Sequence, residues 1–243
     1  MEQRSSHLLN IASLNPFNLI FPKVCFNCST RLKDSERFIC SVCRKELLPY
    51  YKSFCELCGA YNVESGQICI HCFNNEYEFD KCRSVTRFND VTKKLIHELK
   101  YNEMTQVADI FSSLAIDYLE KVKPFDRIDY VISVPLHIVR KRTRGYNQSE
   151  IIAKKIASHF NWSYVPSIIK KHKATLSQAN LSAKARLTNV ENAFSVDSKN
   201  RIEESNLLII DDVFTTGSTV NEISRTLKRH HINKVYVLTM TRA

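Results

Sequence analysis

The sequence predicts an α/β protein, a parallel sheet flanked by helices, with a small cysteine-rich module in front of it. Three observations carry this reading. All nine cysteines fall between Cys25 and Cys82, and the stretch after Cys82 has none. Beyond them, short apolar runs alternate with segments of helical spacing, as expected when helices wrap a parallel sheet. The 243 residues suffice for one full α/β domain plus a smaller unit. The compositional break lies near residues 74–82 and divides the chain into 1–78 and 79–243.

The elements follow in order. Residues 84–88 read as a first strand. Val91, Leu95, Ile96 and Leu99 repeat at helical spacing after a cap at Asn89 or Asp90, and Val107, Ile110, Phe111, Leu114 and Tyr118 repeat the signal. Tyr130-Val131-Ile132-Ser133-Val134 is an apolar run closed by Pro135. A basic loop follows, then a helix marked by Ile152, Ile156 and Phe160, whose start has Asn147 and Glu150 at capping-box spacing. Leu207-Leu208-Ile209-Ile210 is continuously apolar, the mark of a central strand covered on both faces. Val220, Ile223 and Leu227 lie on one helical face, and residues 235–240 supply a last strand. Residues 170–206 are polar and without a usable period.

Composition narrows the class. With 44% apolar and 25% charged residues, the chain fits a folded protein rather than a disordered one. No apolar run approaches the roughly 20 residues that span a bilayer. Near the start, Leu8, Leu9, Ile11 and Leu14 are interrupted by Asn10 and Ser13, unlike a secretory apolar region. A cytoplasmic protein without membrane insertion is expected. The formal charge of +10 points to anionic partners. Eight zinc-bound thiolates and two zinc ions would lower it to about +6.

Cysteines of a cytoplasmic chain are poor disulfide candidates, so their spacing reads as metal ligation. Cys25/Cys28, Cys40/Cys43, Cys55/Cys58 and Cys69/Cys72 are four CxxC knuckles. Tetrahedral zinc takes four soft ligands, and the simplest assignment is two consecutive ribbons of four cysteines each. His71, inside the last knuckle, is an alternative ligand, but the complete cysteine set leaves it a bystander. Cys82 stands alone as a small buried hydrophobe. The zinc is structural, because a ribbon of about 50 residues cannot bury enough apolar surface to fold unaided and four thiolates leave no open position. Arg31, Lys33, Arg37, Arg44, Lys45 and Lys52 would let the ribbons meet nucleic acid or partner proteins; equally, they read as solvated charges on a stabilised module.

The run Leu207-Leu208-Ile209-Ile210-Asp211-Asp212-Val213-Phe214-Thr215-Thr216-Gly217-Ser218-Thr219 has a mechanical reading. A strand delivers two carboxylates to its C-terminal end, where ligands of open α/β sheets bind. Gly217 permits a sharp turn and close backbone approach. Backbone N–H groups opening the next helix favour phosphate, and hydroxyls of Thr215, Thr216, Ser218 and Thr219 add hydrogen bonds. Asp211 and Asp212 would repel that anion directly, so they suit sugar hydroxyls or a bridging magnesium ion. Neither a GxxxxGK loop nor a GxGxxG fingerprint is present.

This string resembles the thirteen-residue signature of type I phosphoribosyltransferases. The resemblance implies a type I phosphoribosyltransferase-like domain over 79–243, with the acids on the ribose 2- and 3-hydroxyls and the loop on the 5-phosphate of phosphoribosyl pyrophosphate. Further upstream, Arg140, Lys141, Arg142, Arg144 and Tyr146 follow the earlier strand, and this clustered charge beside a tyrosine suits a pyrophosphate clamp or a single-strand track. A solvated basic face is the alternative.

Taken with the cysteine knuckles, the chain resembles the ComF family of competence proteins. The resemblance runs through His97-Glu98-Leu99-Lys100-Tyr101, Val134-Pro135-Leu136-His137, Arg140, Arg144-Gly145-Tyr146-Asn147-Gln148-Ser149-Glu150, Gln178, Arg186, Asn189 and Ala193-Phe194. Segment 174–181 matches only in outline. The resemblance implies a factor for natural transformation that binds phosphoribosyl pyrophosphate, with Val134, Pro135 and Leu136 joining the signature residues, and single-stranded DNA. For such a factor, partner proteins at the ribbons would be DNA-processing ones. The alternative is an active phosphoribosyltransferase. There magnesium and the basic residues Lys100 and Arg140 would stabilise departing pyrophosphate while a base or amine attacks ribose C1, with Asp211 and Asp212 as further catalytic residues. No general base stands out.

Overall fold

The computed structural model describes residues 22–48, 53–173, 190–197 and 202–243. The expectations for Leu8 to Leu14, Lys52, Gln178, Arg186, Asn189 and segment 174–181 lie outside the described residues. In chain order the elements are α1 (Ser41–Leu47), α2 (Ile70–Phe73), β1 (Lys81–Arg87), α3 (Asp90–Tyr101), α4 (Val107–Val122), β2 (Tyr130–Ser133), α5 (Ile138–Arg144), α6 (Gln148–Phe160), β3 (Ser163–Tyr164), β4 (Ile169–Lys171), β5 (Phe194–Val196), β6 (Asn206–Phe214), α7 (Ser218–Lys228) and β7 (Lys234–Arg242).

A five-stranded parallel sheet in the order β1-β7-β6-β2-β3 forms the centre, as the apolar runs predict. β6 lies in its middle, and Leu207 to Ile210 are fully buried. Because strand side chains alternate, Leu208 and Ile210 enter one core with α3, α4 and α6, whereas Leu207 and Ile209 enter another with α7, β4 and β5. Burying each such side chain contributes about 2 kcal/mol.

Local chemistry sets the helix ends. Asn89, not Asp90, caps α3, its side chain accepting from the Thr92 N–H at 2.9 Å. Asn147 caps α6 by accepting from the Ser149 N–H at 3.1 Å and ties it to β2 by donating to the Val134 carbonyl at 2.9 Å. The expected capping box is only half formed: Glu150 turns outward to Lys154 at 2.8 Å and Lys141 at 3.7 Å.

Three further expectations need adjusting. The basic loop is the short helix α5, capped by His137 and ended by Gly145 at φ 78°. It buries no residue, so it carries no apolar face for periodicity to reveal. β1 begins at Lys81, because Arg83, which breaks the apolar pattern, is buried by pairing with Glu56 at 3.2 Å and with backbone carbonyls. Within 170–206, β4 and β5 form a small antiparallel pair, each strand too short to show alternation.

The two ribbons pack on opposite faces of the sheet. Cys25, Ile39, Cys40, Cys43 and Leu47 join the core under α3 and α4. Arg44 reaches Asp117 of α4 at 3.1 Å, and Lys94 of α3 donates to the Asn27 carbonyl at 2.9 Å. Cys55, Cys58 and Cys72 join the core under α7. There the Cys82 N–H donates to the Leu57 carbonyl at 2.7 Å and Arg242 to the Cys58 carbonyl at 3.0 Å. Cys82 is fully buried in β1, as expected.

Candidate functional site

The cysteines assemble as the spacing predicts. Cys25, Cys28, Cys40 and Cys43 form one group, Cys55, Cys58, Cys69 and Cys72 the other, and within each group the sulfurs lie within 4.8 Å of one another. Four sulfurs about 2.3 Å from a tetrahedral zinc would sit about 3.8 Å apart. The Cys28–Cys40, Cys55–Cys72 and Cys58–Cys69 separations are 3.7, 3.8 and 3.7 Å. Both groups therefore fit structural zinc, and His71 stands outside the second.

A second site opens at the carboxyl edge of the sheet. β2 ends at Ser133, opposite Ile210, whereas β6 and β7 continue side by side to Phe214 and Arg242. Asp211 and Asp212 consequently lie where β6 has lost one neighbour, and they border a cleft of about 280 Å³. Val134, Pro135, Leu136, Lys100, Arg140, Arg144, Thr215 and Thr219 share its walls.

The two acids differ in their partners. Asp212, 5% exposed, receives Lys100 Nζ at 3.0 Å and the Gln148 side-chain amide at 2.6 Å on one oxygen. Asp211 accepts from the Ser149 hydroxyl at 3.2 Å and from the Asp212 N–H at 2.9 Å. Burial, reinforced by the neighbouring Asp212, pushes Asp211 up to about 7. A cation or ligand hydroxyl group at this position would relieve that cost.

Beyond the acids, Gly217 sits at φ 75° and α7 starts. Asp211, Thr215, Gly217, Ser218 and Thr219 bound a small cavity of about 30 Å³ against the helix N-terminus, and Asp211, Thr215 and Thr219 are shared with the larger cleft. Thr216 is not in its wall; its hydroxyl meets Ser218 Oγ at 2.5 Å and its carbonyl faces Tyr77.

α5 divides the basic run. Arg140 and Arg144, one helical turn apart, face the cleft, while Lys141 and Arg142 are exposed outside it. Arg144 donates to Gln148 at 2.6 Å, and its guanidinium lies 5.5 Å from the Tyr101 ring centre. Tyr146, expected as a stacking ring, turns inward instead: it packs against the α3/α4 core and its hydroxyl donates to the Leu99 carbonyl. The cleft carries two exposed rings, Phe88 and Tyr101, the latter 60% accessible.

Sequence reasoning assigned no site role to Gln148 and Ser149, which hydrogen-bond the acids, or to Tyr101 and Lys171, which line the cleft, although all but Lys171 belong to the family resemblance. Gln148 and Ser149 follow a capping Asn147 and read as an ordinary helix start. Tyr101 reads as the end of an amphipathic helix. Lys171 lies in β4, where there is no period to read, yet it lines the same cleft.

A five-stranded parallel sheet covered on both faces, with paired acids and a glycine turn at its carboxyl edge, defines an α/β domain joined to two cysteine ribbons. The chain belongs to the ComF family. It is 30% identical to the DNA utilization protein YhgH of Escherichia coli O157:H7 over 227 residues, which cover 92% of this chain and 99% of that protein. It is 29% identical to competence protein F of Haemophilus influenzae, covering 90% of this chain and 96% of the relative. With competence protein ComFC of Bacillus subtilis the identity is 25%, over 84% and 78% of the two chains. The double zinc ribbon domain family matches residues 17–73. Among solved structures, a crystal structure of adenine phosphoribosyltransferase aligns at 14% identity and TM-score 0.40, covering 58% of this chain and 73% of that one. No helix among the described residues is long and apolar enough to cross a membrane.

Proposed function

We propose that this chain is a competence factor that binds phosphoribosyl pyrophosphate at the carboxyl edge of its sheet and single-stranded DNA along the adjoining basic face. One observation carries the reading: adjacent carboxylates, a helix N-terminus and the cations Lys100, Arg140 and Arg144 converge on one cleft. Ribose hydroxyls suit the acids, a 5-phosphate suits the recess before α7, and a pyrophosphate suits the cations. Asp211 and Asp212 are hard oxygen donors beside the phosphate recess, the set magnesium takes together with substrate phosphates, and the ion would neutralise pyrophosphate charge. Lys100 would then exchange Asp212 for the ligand. From the cleft, the exposed ring of Tyr101 and the outer side of α5, with Lys141 and Arg142, offer stacking and charge to a single strand.

Titration calorimetry of the zinc-loaded protein with phosphoribosyl pyrophosphate and magnesium tests the first half. Binding by the unsubstituted chain and its loss in Asp211→Asn/Asp212→Asn is the expected result; no binding by the intact folded chain would remove the ligand reading. Salt-sensitive binding of an oligonucleotide, weakened in Lys141→Ala/Arg142→Ala, tests the second half.

Lys171 favours a second reading, transfer of the phosphoribosyl group to a base or amine. Burial, with Arg140 adding to it, brings this lysine down to about 8, a range in which it can accept a proton. The acceptor nitrogen would bond to ribose C1 as the C1–O bond breaks, pyrophosphate would leave with the electron pair, and Lys171 would take the acceptor's proton. Pyrophosphate release across a panel of bases and amines decides this reading. The same lysine sets a pH dependence. Its charge is present below about pH 8 and lost above it, so affinity for the pyrophosphate ligand should fall several-fold, about three- to tenfold, between pH 7 and 9. Lys171→Met should weaken binding at pH 7 and flatten that profile.

A further inference from the structure

The second ribbon and the phosphate loop are joined by one directed chain of hydrogen bonds. The Asn75 side-chain amide donates to the His71 carbonyl at 2.8 Å and lies 3.4 Å from His71 Nδ1. His71 Nε2 then donates to the Tyr77 hydroxyl at 2.8 Å, and that hydroxyl donates to the Thr216 carbonyl at 2.9 Å. The Tyr77 hydroxyl has one proton, and with that proton on the Thr216 carbonyl it accepts from His71 Nε2. His71 lies between the ribbon ligands Cys69 and Cys72, and Thr216 precedes Gly217 in the loop.

A trans peptide holds its C=O and N–H on opposite sides. Fixing the Thr216 carbonyl towards Tyr77 therefore turns the Gly217 N–H away from Tyr77, and Gly217 itself lines the small cavity before α7. The surroundings suit a brace. Tyr77 stacks on Phe79 at 4.7 Å, and Phe79 meets Phe214 edge-on at 6.1 Å, under the same loop. Asn221 of α7 accepts from the Glu78 N–H at 2.6 Å, so residues beside Tyr77 are tied to the loop's helix as well. Burial keeps the Tyr77 phenol neutral by pushing its ionisation above the ordinary range.

We propose that Tyr77 is a positioning residue that couples the second zinc ribbon to the phosphate loop by holding the peptide between Thr216 and Gly217 in its ligand-facing orientation. The inference rests on the phosphate-binding reading above for its consequence, but not for its geometry. It also gives the ribbon a task beyond its own folding, since His71 is placed by the zinc knuckle without being a ligand.

The chain has four glycines, and only Gly217 follows a threonine. Zinc-loaded full-length protein made with nitrogen-labelled glycine and carbonyl-carbon-labelled threonine therefore gives one doubly labelled peptide in nuclear magnetic resonance spectra. Tyr77→Phe removes the hydroxyl and keeps the ring. We expect it to move the signal of that peptide, to leave the other glycine signals, zinc content and melting midpoint in place, and to weaken magnesium–phosphoribosyl pyrophosphate binding about tenfold. His71→Phe should move the same signal less and in the same direction. An unmoved signal overturns the brace. A moved signal with unchanged affinity overturns its link to the ligand. If the unsubstituted protein binds no phosphoribosyl pyrophosphate, the phosphate reading fails, while the signal still decides whether Tyr77 holds the loop.

Discussion

Gly217→Ala is expected to abolish binding of phosphoribosyl pyrophosphate and to lower stability by about 2–4 kcal/mol. Two costs combine. The backbone there sits at φ 75°, where an alanine is strained by about 1 kcal/mol. A Cβ would also lie 2.6 Å from Cζ of Phe214 and 3.0 Å from Cε1 of Tyr77. Neither ring can yield cheaply: Phe214 is 1% exposed, with the Arg242 guanidinium 4.4 Å from its ring centre, and Tyr77 is stacked on Phe79. The loop would have to move instead, and with it the N–H groups that open α7. Gly66 supplies the control, because it has φ 84° and open space where a Cβ would go. Gly66→Ala should cost only the strain of about 1 kcal/mol and leave ligand affinity unchanged. Denaturant unfolding and calorimetry on both variants check the contrast; equal losses in the two would mean that packing under the loop is irrelevant.

The contrast between these glycines shows what the sequence could and could not convey. Gly217 was legible as a turn because it follows two acids at the end of a buried strand and precedes an amphipathic helix. That Tyr77 and Phe214 floor the turn was not, since Tyr77 is 140 residues upstream and nothing local marks its hydroxyl as a loop partner. The same division holds for the cleft. Asp211, Asp212 and the β6 strand were readable from a continuous apolar run, and the cysteine groups from spacing alone. Lys171 was hidden because a three-residue strand has no period, and Tyr146 was misread because an aromatic beside arginines looks the same whether its ring faces solvent or core. Helix α5 was hidden for a related reason: all its residues are solvent-facing or cleft-facing, so no amphipathic signal exists.

Where the ribbons pack was equally unreadable, and it changes what zinc is expected to do. A ribbon tethered at the end of a domain would unfold alone. Here Ile39 and Leu47 lie against the core beneath α3 and α4, and Cys55, Cys58 and Cys72 lie against the core beneath α7, so each ribbon covers one face of the sheet. The sheet's two hydrophobic layers thus depend on two separate metal clusters. Coupling of this kind predicts that metal loss is felt in the α/β part, not only in the cysteine region.

Stripping both zinc ions with a strong chelator is accordingly expected to lower the melting midpoint of the whole chain by well over 10 °C and to raise binding of an apolar dye. Structural zinc in small ribbons contributes about 10–16 kcal/mol of apparent binding energy, which is of the order of a whole domain's stability. The loss should depend on pH in a defined direction. Burial pushes the Cys43 thiol up to about 12 and the Cys58 thiol up to about 11, whereas hydrogen bonds bring Cys28 down and outweigh burial to bring Cys55 down; the raised thiols must release protons to become ligands, so zinc affinity should fall as the pH is lowered. The two clusters should also differ. Cys28→Ser in the first, whose neighbours are α3 and α4, should loosen that face while leaving the phosphate loop in place. Cys69→Ser in the second displaces the knuckle that carries His71, and should therefore weaken ligand binding as well as stability. Metal analysis, thermal unfolding and calorimetry on the two variants separate these outcomes. Equal ligand affinity in both would confine zinc to folding, because among the described residues it is the second ribbon that reaches Thr216 through Tyr77.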